Sequence, residues 1–412
     1  MAKGINNLFQ NATDTRVLKI FNSGNFTLLF LTSVAISVGN VMMMVALSWL
    51  VLDLTGSSLS LGIVWASRSL PNMLFGLLAG SLADKFNKRN LLVWTFSILS
   101  ACSLVVGLLI TFNMIQLWHV IVLTFLIGTL MTFDGATRQA FVVDLVDRKD
   151  TMSAISVNAF GMRMMGVFGG AVAGFIIEIW GTEWAFYIKF VTYLIAIGII
   201  LFITNLKPIG LKKQSIQGNF LEGLNIISQN HVVLALMVMA AACEILGFSH
   251  KVVTPIFARD ILHVGAIGLG MFSTATSIGG LLALIILFLL GDYRHKGRIM
   301  LGVFLSFGIL LILFSFSPWY PASLILIGLV GSMAASHDAL QHTLLQLNVT
   351  QEQRGRAIGL WQMSIGLGPV GMLTLGWLAD LLGASIALSS FGFMMIMIFF
   401  ILTLFIPKLS QV

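Results

Sequence analysis

The stretch FTLLFLTSVAISVGNVMMMVALSWLV, residues 26–51, runs for 26 residues without one charged side chain. At 1.5 Å per residue, a helix of that length spans about 39 Å, more than the ~30 Å hydrocarbon core of a bilayer. In lipid, its backbone polar groups find partners only within its own helix. The stretch reads as a transmembrane span, and it is not alone. Similar runs follow at 59–83, 91–112, 117–145, 152–179 and 184–205, then at 232–257, 263–290, 299–317, 321–346, 357–382 and 385–407. The bulk composition agrees, with 58% apolar and only 9% charged residues and a mean hydropathy of +0.98. A soluble domain carries roughly 25% charged residues, so a soluble enzyme, a secreted disulfide domain and a disordered chain are all excluded. Cys102 and Cys243 both fall inside apolar runs and form neither a disulfide framework nor a metal-ligand cluster.

The net charge of +7 is explained by its placement. Most basic residues fall in alternate connections: Lys3, Arg16 and Lys19; Lys85, Lys88 and Arg89; Arg148 and Lys149; Lys207, Lys212 and Lys213; Arg294, Lys296 and Arg298; Arg354 and Arg356; Lys408. The positive-inside rule then puts both termini in the cytoplasm, and no nucleic-acid partner is needed. Residues 1–25 are polar and lack the apolar core of a signal peptide. They form a cytoplasmic segment, followed by a six-span half at 26–205. A linker at 206–231 with a short amphipathic helix, a second half at 232–407 and a tail at 408–412 complete the chain.

The two halves repeat each other. GSLADKFNKRN (80–90) follows the second span as LGDYRHKGR (290–298) follows the eighth. TRQAFVVDLVDRKDTMSAIS (137–156) aligns with LQHTLLQLNVTQEQRGRAIG (340–359), and Gly174-x3-Glu178-x2-Gly181 with Gly376-x3-Asp380-x2-Gly383. Three matches in one order indicate duplication, and parallel six-span repeats put a binding site between the halves near mid-membrane.

Gly80-Ser-Leu-Ala-Asp84-Lys85-Phe-Asn87-Lys88-Arg89 resembles the loop-2/3 signature of the major facilitator superfamily, G-x-x-x-D-[RK]-x-G-[RK]-[RK]. Residues 133–159, 317–332 and 353–384 resemble its macrolide-efflux and enterobactin-exporter branch. The resemblance implies an all-α membrane protein of twelve helices in two pseudo-symmetric halves. It further implies export of amphiphilic small molecules by proton antiport, with the proton gradient as energy source and no cofactor. Three positions depart from the pattern. Asn87 stands at the signature glycine, Gly170 where such antiporters place proline, and Gly166 at a branch arginine slot, with Arg163 one turn earlier. By the same resemblance, Asp84 would cap the helix starting near Arg356–Ala357 and Lys88 would approach Asp134 or Asp144. Together with Arg138 these residues would form a cytoplasmic gate.

An ion at mid-membrane costs ~2.5–3.5 kcal/mol on insertion scales, so each one needs a partner, a cavity or a function. Glu244 in MVMAAACEILGFSHK has no basic neighbour within a helical turn, which suits a group that takes up and releases a proton. A structural pair with Arg68, also near mid-span, is the alternative. Asp134 and Arg138 share a helix face, as do their repeat equivalents Asp338 and His342, where a proton relay competes with an ordinary polar helix end. Asn40 and Trp361 are candidates to touch substrate in a central cavity. The sequence has no phosphate-binding G-x-x-x-x-G-K-[ST], no nucleophile–base pair and no metal spacing, so an enzyme is not expected. The expected protein is a multi-pass exporter of a prokaryotic inner membrane that works as a monomer. An importer or uniporter of a nutrient or siderophore on the same fold, and a non-transporting sensor or lipid-handling protein, are the alternatives.

Overall fold

The computed structural model describes residues 20–21, 23–147, 150–204, 230–291, 295–350, 353 and 361–406, apart from the side chains of Leu77, Ser81, Asp84 and Met152. The linker, most of the N-terminal segment, the C-terminal tail, the start of the eleventh span and the Asp84 carboxylate lie outside the described residues. The described chain runs through α1 (Gly24–Thr55), α2 (Ser58–Lys85), α3 (Lys88–Thr111), α4 (Leu117–Leu145), α5 (Thr151–Trp180) and α6 (Thr182–Leu201). It continues through α7 (His231–Ile261), α8 (Gly265–Leu290), α9 (Lys296–Ser315), α10 (Tyr320–Leu347), α11 (Trp361–Leu382) and α12 (Ala384–Phe405). Eleven of these are long and apolar enough to cross a membrane; α2, with 28 residues, carries Arg68 and Asn72.

The helix ends follow local chemistry. Ser23, Ser57, Asn87 and Asn230 each accept a backbone N–H in the first turn that follows them. Asn87 sits at φ −63° and caps α3, so the departure from the signature glycine costs no backbone strain. The seventh span differs from the uninterrupted run expected at 232–257. It reaches Ile261 and contains two wide π-type turns, Cys243–Gly247 and Phe257–Ile261. The first contains Glu244 and ends at Gly247, where the Phe307 ring leaves no room for a Cβ. The second follows Pro255, which has no N–H to offer the regular ladder.

Helices α1–α6 pack among themselves through α2–α4, α1–α6 and α3–α6, and the second six through α8–α10 and α9–α12. The halves meet through α5–α8 and α2–α11. These contacts are made by backbone against backbone, because Gly170 and Gly174 lie on Gly270 and Ala266, and Gly62 and Gly376 on Met372 and Ser58. The space beside Gly170 is filled by the Gly270 carbonyl and Thr274, and that beside Gly166 by Ser277, which accounts for small residues at both departures in α5.

The repeated Gly-x3-acid-x2-Gly motif has one physical meaning in both halves. Its first glycine permits the close approach. Its last, Gly181 at φ 99° and Gly383 at φ 84°, turns the chain into the next helix. Its acid caps a helix of the opposite half. The Asp380 carboxylate accepts from Ser57 Oγ (2.7 Å) and from the backbone N–H groups of Ser58 (2.6 Å) and Leu59 (3.2 Å) at the start of α2. Glu178 accepts from the Ala266 N–H (3.1 Å) at the start of α8. Both caps lie at the end of the bundle opposite the linker, called the turn end below, and tie the halves together there. Removing both acids, Asp380→Ala with Glu178→Ala, is expected to favour opening of that end. In a Cys102→Ala/Cys243→Ala background, a cysteine replacing cavity-lining Ile365 should react about tenfold faster with an impermeant maleimide added from the turn side. Tenfold is ~1.4 kcal/mol, within the ~0.5–1.5 kcal/mol net contribution of one hydrogen bond, as fits carboxylates that are exposed to water. An unchanged rate would show that the caps do not hold this end shut.

Candidate functional site

A cavity of about 440 Å³ lies between the halves, lined by Arg68, Asn72 and Thr132 from one side and by Glu244, Lys251 and Asp338 from the other, with Trp361 on its wall. A second cavity of about 290 Å³ adjoins it, sharing Phe248, Lys251 and Asp338 and adding Arg163 and His250. Four of the residues singled out from sequence, Arg68, Glu244, Asp338 and Trp361, thus converge on one space. Glu244 and Arg68 face the same cavity but do not pair. Among the described residues, neither they nor Lys251 has an ion pair within 4.0 Å. Asp338 and Lys251 are the charges that act most on Glu244, the first repelling and the second attracting its negative form. Lys251 lies seven residues, about two turns, beyond Glu244, with its ammonium 5.0 Å from the Phe248 ring.

The Arg68 guanidinium is held by weak partners. One Nη donates to the Met131 sulfur (3.1 Å), the Trp65 ring lies 5.6 Å away, and Nε is buried without a hydrogen-bond partner. Gly128 lets α4 pack directly on the Arg68 backbone, a contact that any Cβ at 128 would break. Asp134 and Arg138 make a buried ion pair at 2.5 Å, four residues apart on α4. Lys88 meets Asp144 at 2.5 Å, joining α3 to α4. Asn40 is not on the cavity wall; its side-chain oxygen accepts from the Tyr193 hydroxyl (3.3 Å) inside the first half. His337 Nδ1 lies 3.7 Å from Asp338, while His342 contacts Gln346 (3.2 Å) and stacks edge-on at 5.5 Å from Trp361.

Sequence reading missed two lysines. Lys251 lies more than one helical turn from Glu244, yet the two face the same cavity. Lys189, in the middle of AFYIKFVTY on α6, is completely buried, its amine on the Met43 sulfur and 5.7 Å from the Tyr193 ring. Its signal, a lone cation inside an apolar run, was available.

A twelve-helix bundle in two halves with a polar cavity between them defines a secondary transporter of the major facilitator type, not an enzyme. The solved structures with the same fold include a bacterial homolog of the human lysosomal transporter Spinster in its inward-facing, unoccupied conformation (TM-score 0.75, 13% identity, 95% of this chain and 98% of that one). The nucleoside transporter NupG is another (TM-score 0.68, 16% identity, 92% and 98%). The chain belongs to the transmembrane secretion effector family of that superfamily, whose model matches residues 17–411. Relatives include the staphyloferrin A transporter of Staphylococcus aureus, 25% identical over 86% of this chain and 89% of that protein. The multidrug efflux pump Tap of Mycolicibacterium fortuitum is 24% identical over 94% and 97%. The macrolide efflux protein A of Streptococcus pyogenes is 20% identical over 80% and 83%.

The buried α4 pair gives a test of its energetics. Arg138→Leu leaves Asp134, already with one oxygen lacking a hydrogen-bond partner, as a lone buried charge, a loss of ~3–5 kcal/mol. Replacing both residues, Asp134→Leu with Arg138→Leu, removes the charge and should restore most of the thermal stability in detergent. A double variant as unstable as the single one would show that the pair has a packing role that leucines do not fill.

Proposed function

We propose that this protein exports amphiphilic small molecules, drug- or siderophore-like, in exchange for protons. The observation that carries this reading is Glu244, a carboxylate on the wall of an inter-half cavity with no ion pair within 4.0 Å among the described residues. Such a group holds either a proton or a cationic group of the cargo, and this competition is what an exchanger requires. One proton moving through 100 mV supplies ~2.3 kcal/mol, roughly a fifty-fold gradient of a neutral substrate. Relatives that carry out multidrug and macrolide efflux support the export direction, and the staphyloferrin A transporter supports a siderophore-like cargo.

In this reading the linker end faces the cytoplasm of a prokaryotic cell and the protein works as a monomer in the inner membrane. Glu244 is the principal proton site, Arg68 and Trp361 line the substrate cavity, and Asn40 supports it from behind through Tyr193. Asp84, Lys88, Asp134 and Arg138 serve the cytoplasmic gate, the Lys88–Asp144 contact being one that changes as that side opens. Asp338 and His342 offer a route for protons toward the linker end.

The test is internal pH in proteoliposomes of known orientation, under an imposed proton gradient, as lipophilic cations, macrolides and catecholate siderophores are added. Substrate-triggered proton movement is expected in the native protein and should fall at least tenfold in Glu244→Gln. Substrate flux without proton movement would replace exchange by uniport. An unaltered proton flux in Glu244→Gln would remove Glu244 from the coupling.

A further inference from the structure

The charges around the cavity are sorted by half. From the first half come only cations: Arg68 on the larger cavity and Arg163 on the adjoining one. A third cation of this half, Lys189, is fully buried on a sulfur and beside an aromatic ring. The one deeply buried acid of this half among the described residues, Asp134, is already taken by Arg138. From the second half come two acids, Glu244 and Asp338, and one cation, Lys251. One wall is therefore net positive and the other net negative, across a single space.

Arg68 carries the sharper signal. A guanidinium has five N–H donors in a rigid fork shaped for a carboxylate or similar oxyanion. Here one Nη is spent on a thioether, a weak acceptor, and the buried Nε has no partner. The side chain is held from behind by Trp65 and Met131, and α4 is seated on its backbone at Gly128, so it is fixed rather than adrift. A half-buried, under-satisfied guanidinium on a cavity wall, with its Nε buried and unpartnered, is completed by an anionic group from the cavity.

We propose that the cargo is amphoteric: a flat or branched apolar body with an oxyanion, most simply a carboxylate, bound by Arg68, and a protonated amine bound toward Glu244 and Asp338. This rests on the export reading and narrows its substrate class. The two poles engage opposite halves, so the bound molecule bridges the elements that must move relative to each other. A proton arriving at Glu244 competes with the amine pole alone, while Arg68 keeps the anionic pole. The cavity volume of about 440 Å³ admits a drug-sized body between the poles.

The experiment uses three forms of one scaffold. Ciprofloxacin carries a carboxylate and a piperazinium at opposite ends of an apolar ring system. Its methyl ester keeps only the cation, and its N-acetyl derivative keeps only the anion. Binding of each to the full-length protein in nanodiscs is measured by equilibrium dialysis against empty nanodiscs. The parent is expected to bind about 10- to 100-fold more tightly than either derivative. Arg68→Gln should bring the parent down to the affinity of the ester and leave the ester unchanged. Glu244→Gln should weaken the parent and the ester but not the N-acetyl form. Arg68→Lys, which keeps the charge without the fork, should fall between, and a melting curve of each variant confirms folding. Equal affinity of parent and ester, an Arg68→Gln loss shared by all three, or no binding of any of them would overturn the two-pole assignment. Two-pole binding without proton-coupled flux in proteoliposomes would leave it standing and overturn the export reading instead.

Discussion

A hydrocarbon medium leaves an ionised side chain few resting places: against an opposite charge, against a polarisable group, or beside a water-accessible cavity. The membrane-depth charges of this chain use all three. Arg138 closes on Asp134. Lys189 rests on the Met43 sulfur and the Tyr193 ring. Arg68, Glu244, Lys251 and Asp338 face a common space, the two cations with a sulfur or a ring beside them as well. The cavity is thus where the charges that the helices cannot neutralise among themselves are collected, and the functional chemistry follows from that collection.

The same solvent dictates how the halves meet. Apolar side chains gain nothing by leaving lipid for another apolar surface, so association relies on close backbone contact and on hydrogen bonds. Glycines supply the first along α5–α8 and α2–α11, and the Asp380 and Glu178 caps supply the second. Both carboxylates are exposed at the turn end, where water can replace the protein donors at little cost. A junction of this kind is specific in geometry and shallow in energy, as a transporter that alternates between two arrangements needs.

Much of this was legible in the sequence. Twelve apolar runs and an ordered repeat led to the fold, because the bilayer allows so few alternatives. Glu244, Arg68 and Trp361 stood out as residues an apolar span should not carry without reason, and the fold brings them to one cavity. The repeated glycine–acid motif was visible, but its meaning was not, since a cap on a helix of the other half joins residues 88 and more than 300 positions apart. The π-type turn at Glu244 was also hidden. It depends on how Gly247 packs against Phe307, a contact that no local pattern encodes.

The duplication explains why the cavity is asymmetric. The aligned stretches 137–156 and 340–359 set His337, not Asp338, opposite Asp134, and Gln341 opposite Arg138, the residue four positions on along the same helix face. In the first half that residue is Arg138, which neutralises its acid and buries the pair within the half. In the second half it is Gln341, which is buried with His337 and has no acid to neutralise, while Asp338, one position on, lies on the cavity wall. An acid shifted by one register position is thus a working charge where its counterpart is a structural one. The same divergence leaves Arg68 without an acid in its own half, so the pseudo-symmetric scaffold carries positive charge on one face of its cavity and negative charge on the other.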